Sequence, residues 1–167
     1  MTPEQVAELR VMQARARAGV LTAEERVRYL EARRGLEAAL NAAQLLLAPA
    51  SARARQAFRV VCSLEIELSF ADRPVRKQTA NFSAGGFSVP LDKPCERGAW
   101  VPFALWLGGD AEPIRGQASC RGTFRLGDSC RASFEFAELP PEARARIELE
   151  MVDLQLELLW PSPRLSP

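Results

Sequence analysis

The stretch Arg59-Val-Val-Cys-Ser-Leu-Glu-Ile-Glu-Leu-Ser-Phe70 alternates without a break. Val60, Cys62, Leu64, Ile66, Leu68 and Phe70 fall on one side, and Val61, Ser63, Glu65, Glu67 and Ser69 on the other. A period of two with one apolar side is the pattern of a half-buried antiparallel strand. Five further segments of strand character follow at regular spacing: Val75–Phe82, Phe87–Leu91, Trp100–Leu107, Ile114–Phe124 and Cys130–Phe136. Turn-forming segments such as Gly108-Gly109-Asp110 and Gly127-Asp128 separate them. Six short strands predict a small antiparallel barrel.

Upstream, the code is helical. Thr2, Pro3 and Gln5 form a capping box with proline at the first helical position, and Val6, Leu9 and Met12 mark one face. Gly19 closes that helix. Thr22 and Glu25 start a second, in which Tyr29, Leu36, Leu40, Ala43 and Leu47 recur at helical spacing. Glu24 with Arg28, and Arg33 with Glu37, are i, i+4 ion pairs. Residues 1–50 therefore read as a helical hairpin, and with no third helix beside it the hairpin must cover its apolar faces against the following domain, a second copy of itself or another protein. Ala48–Ala54, containing Pro49, breaks the helical period and sets the domain boundary. After the strands, Pro140-Pro141 opens a last helix carrying Ala143, Ile147, Met151, Leu154 and Leu158, expected to cover the barrel or an oligomer interface. The domains are thus 1–50, 51–160 and a proline-rich tail, 161–167. The class is α+β.

Composition closes several routes. The chain of 167 residues has 22 Lys and Arg against 21 Asp and Glu, a net charge of +1. No bulk field draws nucleic acid or an anionic membrane, so an anion site must be local. Histidine is absent, which removes Ser-His-Asp and Cys-His nucleophiles and the commonest general base. The four cysteines form no CxxC pair, so a zinc site is not expected, and they read as reduced, buried thiols. Ala38–Ala50 is too short and too interrupted to span a bilayer, which needs roughly twenty apolar residues. The N-terminus lacks a basic segment followed by an apolar one, and a cytoplasmic, non-catalytic chain is expected.

Two short patterns flank the alternating strand: Arg55-Gln-Ala-Phe-Arg59 before it, and Asn81-Phe-Ser-Ala-Gly-Gly86 after the next one. Alone, two arginines four apart more often make a solvated helix face, and Asn81–Gly86 more often makes a plain hairpin turn. Together, arginines that stack on bases and fork onto phosphate, and a turn of small polar residues, describe a nucleotide site.

The order RxxxR, strand, (D/N)xSxxG, six strands and C-terminal helix resembles the PilZ domain family over about residues 53–159. The resemblance implies a PilZ-like β-barrel that binds the bacterial second messenger cyclic di-GMP as a ligand, with no cofactor. It implies that Arg55 and Arg59 stack on and fork to guanine and neutralise phosphate. Asn81 and Ser83 would hydrogen-bond guanine edges or phosphate, and Gly86 would leave room. Arg53 and Gly85 are accessory candidates. Ala54 stands where some members carry another arginine, which leaves one or two nucleotides per site open. The implied mechanism is a switch in which Ala52–Arg59 orders around the nucleotide and repositions the hairpin, the output being contact with a downstream protein. The alternative is a PilZ-like interaction protein that binds no nucleotide and oligomerises through its helices. Trp100 and Trp106, with Pro102 and Ala104, read as one packed barrel face; Arg115, Arg121, Arg125 and Arg131 read as solvated strand positions rather than a nucleic-acid patch.

Overall fold

The computed structural model describes residues 1–46, 58–108, 112–127, 129–137 and 139–159. The linker 48–54 and the proline-rich tail lie outside these residues. The chain divides into two compact units: α1 (Pro3–Arg17), α2 (Ala23–Leu46) and α3 (Pro141–Leu159) from Leu149 onward form the helical unit, and Arg59–Glu148 forms the β-unit.

Both capping boxes are closed. Thr2 Oγ1 accepts from Gln5 N at 3.3 Å while Gln5 Oε1 accepts from Thr2 N at 2.8 Å. At the start of α2 the reciprocal pair is Thr22 with Glu25, at 3.2 and 2.9 Å. Gly19, at φ +69, turns the chain between the helices in a conformation that favours glycine. The ion pairs Arg28–Glu24 (2.8 Å) and Arg33–Glu37 (3.9 Å) both form.

Two helices alone would leave an uncovered seam; the structure supplies a third in the second half of α3. Val6, Leu9 and Met12 from α1, Tyr29 and Leu36 from α2, and Val152 and Leu156 from α3 make one apolar cluster. Two polar side chains beside it are paired. Buried Gln13 accepts from Tyr29 Oη at 2.6 Å and donates from Nε2 to the Leu149 carbonyl at 2.8 Å. Arg17 pairs with Glu150 at 2.7 Å and with Asp153. Within α3 the buried stripe differs from the expected one: Ile147 and Met151 are covered, but Val152, Gln155 and Leu156 replace Leu158, which is exposed.

The β-unit is one antiparallel sheet. Its strands are β1 (Glu65–Ser69), β2 (Pro74–Gln78), β3 (Asn81–Ser83), β4 (Gly86–Leu91), β5 (Trp100–Leu105), β6 (Ile114–Leu126) and β7 (Ser129–Phe136), in the order β2-β1-β5-β6-β7-β4-β3. There are seven strands where six are expected, because the segment 75–82 breaks at Thr79. That threonine is buried and works as a stitch: its hydroxyl donates to the Cys62 carbonyl (2.8 Å) and accepts from Leu64 N (3.0 Å), and its own N–H reaches the Leu64 carbonyl. The alternating stretch keeps its two faces, with Val60, Leu64, Ile66 and Leu68 buried, yet only Glu65–Ser69 is laddered. Val60 instead bridges Phe82, by bonds of 2.9 and 2.8 Å, so the segment leading into β1 curls the sheet back onto its far edge, β3. The interior holds an aromatic cluster of Phe82, Phe87, Phe103, Phe134 and Phe136, with ring centroids 5.2 to 6.2 Å apart.

The tryptophans depart from expectation. Alternation does place Trp100 on one face of β5, but that face is the outer one: Val101, Phe103 and Leu105 point inward and Trp100 is 63% exposed. Trp106 is half-buried under Arg76, whose guanidinium carbon lies 4.9 Å from its ring centroid. The same guanidinium holds Glu65 and Glu67, each at 3.1 Å.

Candidate functional site

The Val60–Phe82 bridge determines what the β-unit can present at the turn motif. Both residues point inward, so their strand neighbours point outward; one register step either way sets Arg59 beside Ser83 and Val61 beside Asn81. Across β3 and β4, Asn81 faces Ser88 and Ser83 faces Gly86. The described site residues Arg59, Asn81, Ser83 and Gly86 therefore gather on the outer face of one sheet edge. Arg53 and Arg55 lie outside the described residues.

Each member of the turn has a structural task of its own. Ser83 is buried and its hydroxyl donates to the Gly86 carbonyl at 3.1 Å, closing the turn through Ala84 and Gly85 and leaving its oxygen lone pairs as acceptors. The Gly85 carbonyl accepts from Phe136 N at 3.0 Å, tying the turn to the end of β7. Gly86 is demanded by the sheet itself: a Cβ there would stand 2.1 Å from the Phe134 carbonyl oxygen, whereas one on Gly85 would meet nothing within 4 Å. The room that Gly86 keeps is thus first room for strand β7.

Beyond the motif, the sheet extends the site along two register rows. Gly86 faces Glu135 on β7, which faces Ser119 on β6 and then Trp100 on β5. Glu135 is held by Arg121 at 3.1 Å, an exposed pair that keeps a carboxylate near the turn neutralised. The other row runs from Asn81 through Ser88 and Ser133 to Gly122. Here two buried polar atoms, Asn81 Oδ1 and Ser88 Oγ, have no hydrogen-bond partner among the described residues. Sequence reading missed Ser88 and Ser133; the available signal was the run Gly86-Phe-Ser-Val-Pro-Leu91, which alternates small outward residues with large inward ones.

Elsewhere the chemistry is quiet. Among the described residues no group of three or more His, Cys, Asp or Glu side chains is arranged to hold a metal ion. No described helix is long and apolar enough to cross a membrane. The cysteines are free thiols; Cys120 and Cys130 are buried and Cys62 and Cys95 half-buried. Burial, with the neighbouring Cys120 sulfur, pushes the Cys95 thiol up to about 12.

Residues 53–151 match the PilZ domain family model, and the chain belongs to that family. Solved structures agree at the level of fold. The Bacillus subtilis inhibitor of motility MotI/DgrA superposes with a TM-score of 0.56 at 20% identity, over 64% of this chain and 53% of that one. The PilZ domain of Escherichia coli YcgR, solved with c-di-GMP, gives 0.52 at 17% identity, over 64% and 95%. The MrkH–c-di-GMP complex of K. pneumonia gives 0.55 at 15% identity, over 65% and 55%. The matched region thus spans about half of the motility inhibitor and of MrkH, and nearly all of the isolated YcgR domain. Among curated proteins none matches the sequence.

Proposed function

We propose that this protein is a cytoplasmic cyclic di-GMP receptor without catalytic activity, which passes nucleotide binding on as contact with a downstream protein. The observation that carries the reading is the placement of Arg59, Asn81, Ser83 and Gly86 on adjacent register positions of one outer sheet edge. Arg59 supplies a planar cation able to stack on a base and fork to guanine O6 and N7 or to phosphate, and Arg55, four residues earlier, supplies the second. Asn81 and Ser83 offer short polar contacts. Gly86 lets β3, β4 and β7 approach closely enough to present them.

The near-neutral charge fits a local anion site rather than a nucleic-acid surface. Binding clamps residues 52–59 on the nucleotide, so saturating ligand should slow amide hydrogen exchange across 48–60. Unchanged exchange there would sink the switch while leaving binding intact. Calorimetry with cyclic di-GMP, on the intact chain and on an Arg55→Ala, Arg59→Ala double variant, tests the receptor reading itself.

A second reading, an interaction protein that assembles through its helices, draws on apolar residues left exposed in the helical unit: Val11, Val27, Leu45 and Leu46. It predicts a dimer on a sizing column with and without nucleotide, and no heat on titration.

A further inference from the structure

We infer that Ser88, outside the NxSxxG pattern, is a guanine-reading residue of the nucleotide site; the inference rests on the receptor reading. Ser88 is 1% exposed, and its hydroxyl has no partner among the described residues. Phe87 and Val89 on either side point into the core, so the Ser88 side chain points to the outer face, the face that carries Asn81 and Ser83. Its register partner on β3 is Asn81, whose Oδ1 is the neighbouring buried atom without a partner. Directly opposed side chains stand about 5 Å apart at Cβ, close enough for one flat ligand edge to engage both.

The row beyond them is built of small residues and opens at Gly122. On the far side of Ser88 the row continues with Ser133, half-buried, and then Gly122, where an added Cβ would meet nothing within 4 Å.

A buried hydroxyl and a buried amide oxygen left unpaired are costly, and the folded chain gains when a ligand satisfies them. The amide oxygen accepts and the hydroxyl can accept as well as donate, so an edge with two neighbouring N–H donors engages both. Guanine has that edge in N1–H and the N2 amino group. Asn81 Oδ1 takes one donor and Ser88 Oγ the other, which makes Ser88 the reader of the exocyclic amine. Adenine, without a proton on N1, cannot pair both.

The test compares wild type with Ser88→Ala in calorimetric titrations of cyclic di-GMP and of cyclic di-IMP, which lacks the N2 amine, together with thermal unfolding of the unliganded proteins. Ser88→Ala should bind cyclic di-GMP about tenfold more weakly, bind cyclic di-IMP as the wild type does, and melt unliganded at the same temperature or higher. Equal cyclic di-GMP affinity, an equal loss for both nucleotides, or a lower melting temperature of the unliganded variant would overturn the inference and leave the receptor reading standing. Absence of cyclic di-GMP binding by the wild type would overturn both.

Discussion

Gly85 and Gly86 stand side by side in one turn under opposite demands. Alanine at Gly86 must displace the Phe134 carbonyl and with it the β4–β7 pairing, whereas alanine at Gly85 enters open space. Gly86→Ala should destabilise the unliganded protein by about 1–3 kcal/mol, and Gly85→Ala should leave the urea midpoint nearly unchanged. Equal midpoints for the two variants would show that the turn glycine serves the ligand alone. At the same scale, the thiol of Cys95 is held up to about 12 by burial, so its thiolate is scarce at neutral pH. Iodoacetamide at pH 8 should alkylate Cys95 far more slowly than an unstructured cysteine peptide, read by mass spectrometry of the labelled site. Labelling at the peptide's rate would contradict that placement.

Elements show how far local code carries. The two capping boxes were legible because a threonine and a glutamine or glutamate three residues apart need only each other. Glu25 binds the Thr22 N–H as a carboxylate, which lowers its pKa, with Arg15 and Arg28 helping. Its contribution to α2 is therefore present above the carboxyl's unfolded-state pKa and is lost as pH falls through the lowered folded value. Thr22→Ala should cost about 1 kcal/mol at neutral pH, and Glu25→Gln should lessen the acid sensitivity of α2 in circular dichroism. Strand character was likewise legible from alternation, and so was the order of strands and helices. Alternation names two faces, however, without saying which is inside, and so Trp100 was assigned to the wrong one. The break at Thr79 was hidden because it depends on Cys62 and Leu64, 15 and more residues away. At the site, the motif residues were readable as a pattern, but Ser88 joins them only through the β3–β4 register.

In the whole molecule, the helices bury their seam by using the second half of α3, a contact between segments more than a hundred residues apart that periodicity does not reveal. Leu156→Ala should cost about 2–5 kcal/mol, because it removes a buried side chain from a cluster built by three helices; a urea midpoint equal to wild type would contradict that packing. The β-unit answers a different requirement. Its ladder and aromatic interior fix an outer edge on which Arg59, Asn81 and Ser83 stand in register. The central claim is that this edge, completed by Arg55, binds cyclic di-GMP. Calorimetric titration of the intact protein and of the Arg55→Ala, Arg59→Ala double variant addresses it most directly: saturable binding by the first, abolished in a second that still melts cooperatively, is the predicted result. No heat from the intact protein, or the same affinity in both, would contradict it.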